Sequence, residues 1–232
     1  MDLIWEGLKE AVRLIFTGNG YVYEVTLLSL YVSGAATLIA VLVGFTTAAF
    51  LAFVSLRGRT AAITAFNAGM ALPPVAVGFV VSIMLWRTGP LGSIHLLYTP
   101  TAIIIAQAVI ATPVVTALSI AGLQSLRPQL RLQVLALGAS SWQAALILFR
   151  EARLALLAAV IAGFGAAISE VGATMMVGGN IKGSTRTLTS AIVLEVSRGD
   201  FETAMAFTII LLAVIVAVIG AFTVVQQRRP QS

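Results

Sequence analysis

Five long apolar runs carry no Asp, Glu, Lys or Arg: Val25–Leu56, Thr60–Trp86, Thr88–Leu126, Leu154–Ser169 and Thr203–Gln227. A helix needs about 20 apolar residues to cross roughly 30 Å of hydrocarbon. All but Leu154–Ser169 reach that length unaided, and the fourth reaches it as Leu154–Val177 once Glu170 is accepted inside the membrane. The runs are continuous rather than alternating, which argues against barrel strands. Five transmembrane helices are therefore expected, in a single all-α integral membrane domain over 1–232. With 59% hydrophobic and only 10% charged residues, the chain cannot clothe a soluble surface in charge.

The charged residues that remain sit in short links between the runs. One side of the expected bundle holds Arg57, Arg59, Arg127, Arg131, Arg150, Arg153, Arg228 and Arg229 against Glu151 alone. The other holds Lys9, Arg13, Arg87, Lys182, Arg186 and Arg198 among seven acids. Basic loops stay in the cytoplasm, so the N-terminus is expected outside and the C-terminus inside. Tyr21, Tyr23, Trp86 and Tyr98 then fall at the outer boundary, where aromatic belts belong. The net charge of +5 forms no basic stripe, which argues against nucleic-acid binding. Residues 1–17 begin with acids and lack a small-residue cleavage site, so no cleaved signal is expected there. Leu3, Ile4, Leu8, Val12, Ile15 and Phe16 among charges instead predict a short interfacial helix.

Within the runs, Pro73-Pro74 interrupts the second span and Pro113 the third. Proline removes a donor and frees carbonyls that protein or a wet cavity must satisfy, so each site reads as a packing kink or as pathway lining. The link Arg57–Arg59 is so short that the first two spans are expected to be antiparallel neighbours. Small residues such as Gly34, Ala35, Gly44 and Ala48 permit close helix packing. No internal repeat is evident, which argues against a single-chain secondary transporter of two related halves.

The one long connection on the basic side covers 124–153. Pro128 is placed to open a helix, Gly138 to stop it, and Ser140 or Ser141 to cap the next, giving two short amphipathic helices meeting at a corner. Leu137-Gly138-Ala139-Ser140 with Trp142-Gln143 resembles the cytoplasmic coupling loop of ABC-importer permeases. Leu132-Gln133-Val134 stands where that family carries Glu-Ala-Ala, and Arg150-Glu151 where it carries Leu-Pro. The later string from Ile168-Ser169-Glu170 through Gly178-Gly179-Asn180-Ile181-Lys182-Gly183-Ser184-Thr185-Arg186-Thr187 looks like the oxyanion permeases of that family. Leu72-Pro73-Pro74-Val75-Ala76-Val77-Gly78 and Phe201-Glu202-Thr203-Ala204 fit the same group. Arg150-Glu151-Ala152-Arg153 and Met175-Met176-Val177 are most similar to the tungstate type, with the molybdate type close behind.

The resemblance implies the type I importer permease fold and a homodimer with a central pathway. It also implies two copies of a cytoplasmic ABC ATPase docked by Leu135, Ala136, Leu137, Gly138, Ala139, Ser140, Ser141, Trp142 and Gln143. An extracytoplasmic oxyanion-binding protein would deliver the cargo and hold most of the selectivity. The alternatives are a molybdate or sulfate-like permease or, in another class, an autonomous channel or secondary transporter. A membrane enzyme is disfavoured, because no nucleophile and base converge on one side.

Several residues invite a chemical reading. Gly178–Ser184 mimics a phosphate loop, but Lys182 precedes the second glycine where a nucleotide loop needs Lys and then Ser or Thr after it. No cofactor is expected in this chain, and ATP is assigned to a partner. The segment 178–200 is expected as an outer gate loop, with Gly178, Gly179 and Gly183 allowing close backbone approach. Asn180, Ser184, Thr185 and Thr187 supply neutral polar groups there, while Lys182 and Arg186 favour an oxyanion electrostatically. Pro73, Pro74 and Glu170 complete the candidate pathway and gate set. Glu170 has the wrong sign to ligate an anion, so a structural or dimer-interface role is expected of it in preference to gating. With no cysteine and His95 as the sole histidine, metal binding is not expected.

Overall fold

The computed structural model describes residues 2–18, 20–53 and 57–227, and no strand occurs among them. In chain order the helices are α1 (Asp2–Phe16), α2 (Gly20–Phe53), α3 (Arg59–Gly69), α4 (Pro74–Leu85), α5 (Pro100–Gln124) and α6 (Pro128–Ala136). They continue as α7 (Ser141–Glu151), α8 (Arg153–Ile168), α9 (Gly172–Gly178), α10 (Leu188–Arg198) and α11 (Phe201–Gln227). Three helices, α2, α5 and α11, are each long and apolar enough to cross a membrane. The other two spans are broken: α3 and α4 meet at 100°, α8 and α9 at 57°. Counting each bent pair once gives the five spans expected.

The first break follows from its prolines. Pro73 is extended (φ −61°, ψ 121°), and Pro74 opens α4 at a position where a missing N–H costs nothing. The second break falls at Ser169–Val171, so Glu170 lies between two helices rather than inside one. By contrast, Pro113 sits within a continuous α5.

Helix α5 is the axis of the bundle, packed by α2 along one side and α8 along another. Ala102, Ile103, Ala106, Ala111 and Val115 are buried along it. Close approach depends on small residues, since packing rather than solvent exclusion joins helices in lipid. Gly44 of α2 lies against Val115 and Thr116 of α5, and Gly122 of α5 lies against Ala155 of α8. Ala48 is fully buried, whereas Gly34 faces open space. Leu27, Leu38 and Leu42 of α2 and Leu212 and Val216 of α11 are exposed, a surface suited to hydrocarbon.

Helix α1 lies on α11 through its small residues, with Gly7 against Met205 and Ala11 buried. Ile4, Leu8, Val12, Ile15 and Phe16 point away from the protein, which suits an interfacial helix.

Three expectations need correction. The second span packs chiefly on α5 and α9, not on α2. A short link joins only the chain ends, here tied where Arg59 Nε donates to the Leu51 carbonyl. The stretch 178–200 is a loop only as far as Thr187. From Leu188 it is α10, started by a reciprocal cap between Thr187 and Ser190. Helix α6 has no amphipathic face of note, and Val134 is its one buried residue. The residues 54–56 that end the first run, and Arg228 and Arg229 of the basic side, lie outside the described residues.

Candidate functional site

The two broken spans converge on one cavity of about 410 Å³. Met70, Leu72, Pro73 and Pro74 line it from the first break, and Ser169 and Glu170 from the second. Helix α5 closes it with Val109, Ile110 and Val114. Pro113 has no N–H for the Val109 carbonyl one turn back, so that carbonyl is freed beside the cavity. Gly69 at the end of α3 abuts the Pro113 ring. Discontinuous helices around a cavity give a membrane protein free backbone polar groups at depth.

Glu170 is 7% exposed, yet its carboxyl is not left idle. Oε1 accepts from the Ala173 N–H at 2.8 Å, fixing the first turn of α9. Its own carbonyl accepts from the Thr189 hydroxyl at 3.0 Å, tying the break to α10. Glu170→Ala is therefore expected to destabilise the protein by about 1–2 kcal/mol, whereas Glu170→Gln keeps an acceptor oxygen and should melt near wild type. Melting curves of both variants check this. If Gln kept stability but altered the coupling of ATP hydrolysis to transport, the charge itself would be at work.

Deeper in the bundle, Gln107 Nε2 donates to the Thr174 hydroxyl at 3.3 Å, joining α5 to α9. Sequence reasoning missed this pair. A lone glutamine amid Ala102–Ala111 was the available signal, because a buried amide needs a partner.

Above α9, the segment Gly178–Thr187 is a closed knot of hydrogen bonds. Thr185 Oγ1 donates to the Gly178 carbonyl and accepts from the Ile181 N–H. Asn180, at a left-handed φ of 52°, donates through Nδ2 to the Ser190 carbonyl at 3.2 Å. Arg186 is committed threefold: to Asn180 Oδ1 at 3.1 Å, to the Asn180 carbonyl at 3.1 Å and to the Tyr21 hydroxyl at 3.0 Å. Lys182 stands exposed, 5.2 Å from the centre of the Tyr21 ring. Gly179 (φ 71°) lies under the Tyr98 ring, and the Tyr98 N–H donates to the Val177 carbonyl at 2.8 Å. Ser29 of α2 completes the seam, accepting from the Leu188 N–H at 2.8 Å. Tyr21 and Tyr98, read in the sequence as belt residues, thus hold this loop in place. Arg186→Ala is expected to cost about 2 kcal/mol of stability, while Lys182→Ala leaves melting near wild type. Thermal unfolding of the two single variants would show the difference. His95, also left-handed at φ 50°, lies beside Trp86, Arg87 and Tyr98 in the loop before α5.

At the opposite, basic end, α6 and α7 meet as the turn residues foretold. Gly138 adopts φ 88°, and Ser140 caps α7 in a reciprocal pair with Gln143. Leu135 is half-buried, but Leu137 is 88% and Trp142 72% exposed. Ala136, Ser140, Ser141 and Gln143 are exposed with them, and Ala139 is half-buried. A bare leucine and tryptophan thus stand on a corner fixed by caps.

Residues 40–231 match the binding-protein-dependent transport system inner membrane component family. The chain belongs to that family. This permease is 40% identical over 203 residues to the probable anion ABC transporter permease protein of Haloferax volcanii, covering 85% of this chain and 88% of that one. It is 38% identical over 218 residues to the tungstate uptake system permease protein TupB of Peptoclostridium acidaminophilum, covering 94% and 96%. Its fold matches the crystal structure of an amino acid ABC transporter with histidines at a TM-score of 0.68 and 16% identity, over 93% of this chain and 97% of that one. The permease is accordingly a multi-pass membrane component of a binding-protein-dependent transport system. It is a transport subunit, not an enzyme, and ATP hydrolysis in such systems falls to separate chains.

Proposed function

We propose that this permease is the transmembrane subunit of an ATP-driven tungstate importer. Two copies assemble around a central pathway, and each presents its α6–α7 corner to one of two cytoplasmic ABC ATPases. An extracytoplasmic binding protein delivers the oxyanion and carries most of the selectivity. The observation that carries the cargo is the near full-length likeness to a tungstate permease.

Charge distribution supports the orientation: the α6–α7 end is cytoplasmic, the Gly178–Thr187 end faces out, and the C-terminus lies inside. The cavity between the two breaks belongs to the pathway. Pro73 and Pro74 line it and Glu170 braces it. Lys182, with no hydrogen bond or ion pair beyond its approach to the Tyr21 ring among the described residues, is the cation of this loop that meets an arriving anion. Arg186, Asn180, Thr185 and Thr187 keep Gly178, Gly179 and Gly183 in the shape that presents it. ATP is bound by the partner chain, and this chain carries no cofactor of its own.

The test is reconstitution of the permease with its ATPase in vesicles, with binding protein loaded with tungstate, molybdate or sulfate. Tungstate-loaded binding protein should stimulate ATP hydrolysis and tungstate uptake most strongly. Preference for molybdate would move the cargo to the molybdate type. Uptake by the permease alone, without ATP, would sink the importer reading in favour of a channel or secondary transporter.

A further inference from the structure

A second cleft lies at the basic end, behind the exposed tip of the α6–α7 corner. It encloses about 470 Å³ between the end of α2, the start of α3, the end of α5 and the start of α6, with Leu148 of α7 closing it behind the corner. Arg59, Arg127 and Arg131 line it, and among the described residues no carboxylate does. None of the three arginines forms an ion pair among the described residues. The rest of the wall is largely apolar, including Phe53, Leu126 and Leu132.

Helix capping accounts for part of this cluster. Arg59 Nε donates to the Leu51 carbonyl and Arg131 Nη2 to the Phe53 carbonyl at 3.1 Å, both in the last turn of α2. Those bonds neutralise the negative end of the helix dipole, which would otherwise repel an anion. Each uses one of the five N–H donors of a guanidinium, so most donors stay free. Arg127 has no hydrogen-bond partner among the described residues and is exposed at the first turn of α6. Capping therefore leaves one arginine and most of the donors of two others unexplained.

We propose that this cleft binds the phosphate headgroup of an anionic membrane lipid. Gln124 ends α5, whose 25 residues are close to the length that crosses a bilayer, which puts the cleft near the depth of the headgroups. Arginine forks match phosphate oxygens, and the apolar wall suits the upper part of an acyl chain. A free inorganic phosphate would leave that wall wet. The bound lipid joins α2, α3 and α6, and so steadies the base of the α6–α7 corner. This inference does not depend on which oxyanion is carried.

The experiment is native mass spectrometry of the full chain after exchange into phosphatidylglycerol or phosphatidylcholine, with melting curves in parallel. Wild-type protein should retain phosphatidylglycerol preferentially and melt higher with it. Arg127→Ala, which breaks no internal hydrogen bond, should fold normally and retain roughly fivefold less, the worth of one basic residue near a charged lipid surface. Arg57→Ala, an exposed arginine outside the cleft, should behave as wild type. Equal retention of both lipids, an unchanged Arg127→Ala, or equal loss in Arg57→Ala would overturn the proposal. An equal rise in melting with inorganic phosphate alone would do so too. Loss of ATPase co-purification in Arg127→Ala with lipid retention intact would reassign the cleft to the ATPase.

Discussion

Gly78→Val is expected to remove most folded permease from the membrane. A methyl carbon built on Gly78 would lie 2.5 Å from Ala173 Cα and 2.9 Å from its Cβ. The obstacle is backbone, not the flexible end of a side chain. Helix α9 is poorly able to retreat, being held by the Glu170 bond to Ala173 and the Gln107 bond to Thr174. Inserting methylenes into a well-packed site costs about 1–3 kcal/mol, and a rigid neighbour puts valine at the upper end or beyond. Gly78→Ala should be intermediate. Gly34→Ala, where nothing lies within 4 Å, should be close to neutral. Fluorescence-detected size exclusion and melting of the three variants would rank them, and a stable, monodisperse Gly78→Val would contradict the packing described.

The second large effect separates folding from coupling. Leu137→Ala combined with Trp142→Ala should leave the melting temperature almost unchanged, because the described residues leave both side chains largely exposed. The same double variant should lose ATPase binding. Buried tryptophans at interfaces commonly contribute 2 kcal/mol or more, so affinity should fall by roughly 30-fold. Pull-down of the ATPase and tungstate uptake would report the loss. A marked fall in melting temperature would instead make this corner part of the fold.

The spans were legible because charge is expensive in hydrocarbon: the uncharged runs, Glu170 aside, marked every membrane crossing. The corner at Gly138 and the cap at Ser140 were legible because backbone geometry restricts which residues serve there. Pairing between distant elements was not. Nothing in the short link Arg57–Arg59 says that the second span packs on α5 and α9, since adjacency in sequence fixes direction but not neighbours. The loop of Gly178–Thr187 was legible in composition and misread in state. Its polar residues looked available for a ligand, yet Arg186 is bonded to Asn180 and Tyr21, Thr185 to Gly178 and Ile181, and Thr187 to Ser190. Helix α10 escaped notice because its capping residues, Thr187 and Ser190, sat within 178–200, a stretch already given another meaning.

The positions of the two bends bear on how such a bundle moves. The ladders of α3 and α8 run out in short turns at Met70–Leu72 and Ser169–Glu170, and new ladders start at Pro73 and Val171, so bending at either joint disturbs only these terminal bonds. The segments to each side are stiff, and the outer knot binds α2, the loop and α10 into one block. A passage whose cavity lies between two such joints would work like a folding rule, changing shape at its hinges while its arms stay straight.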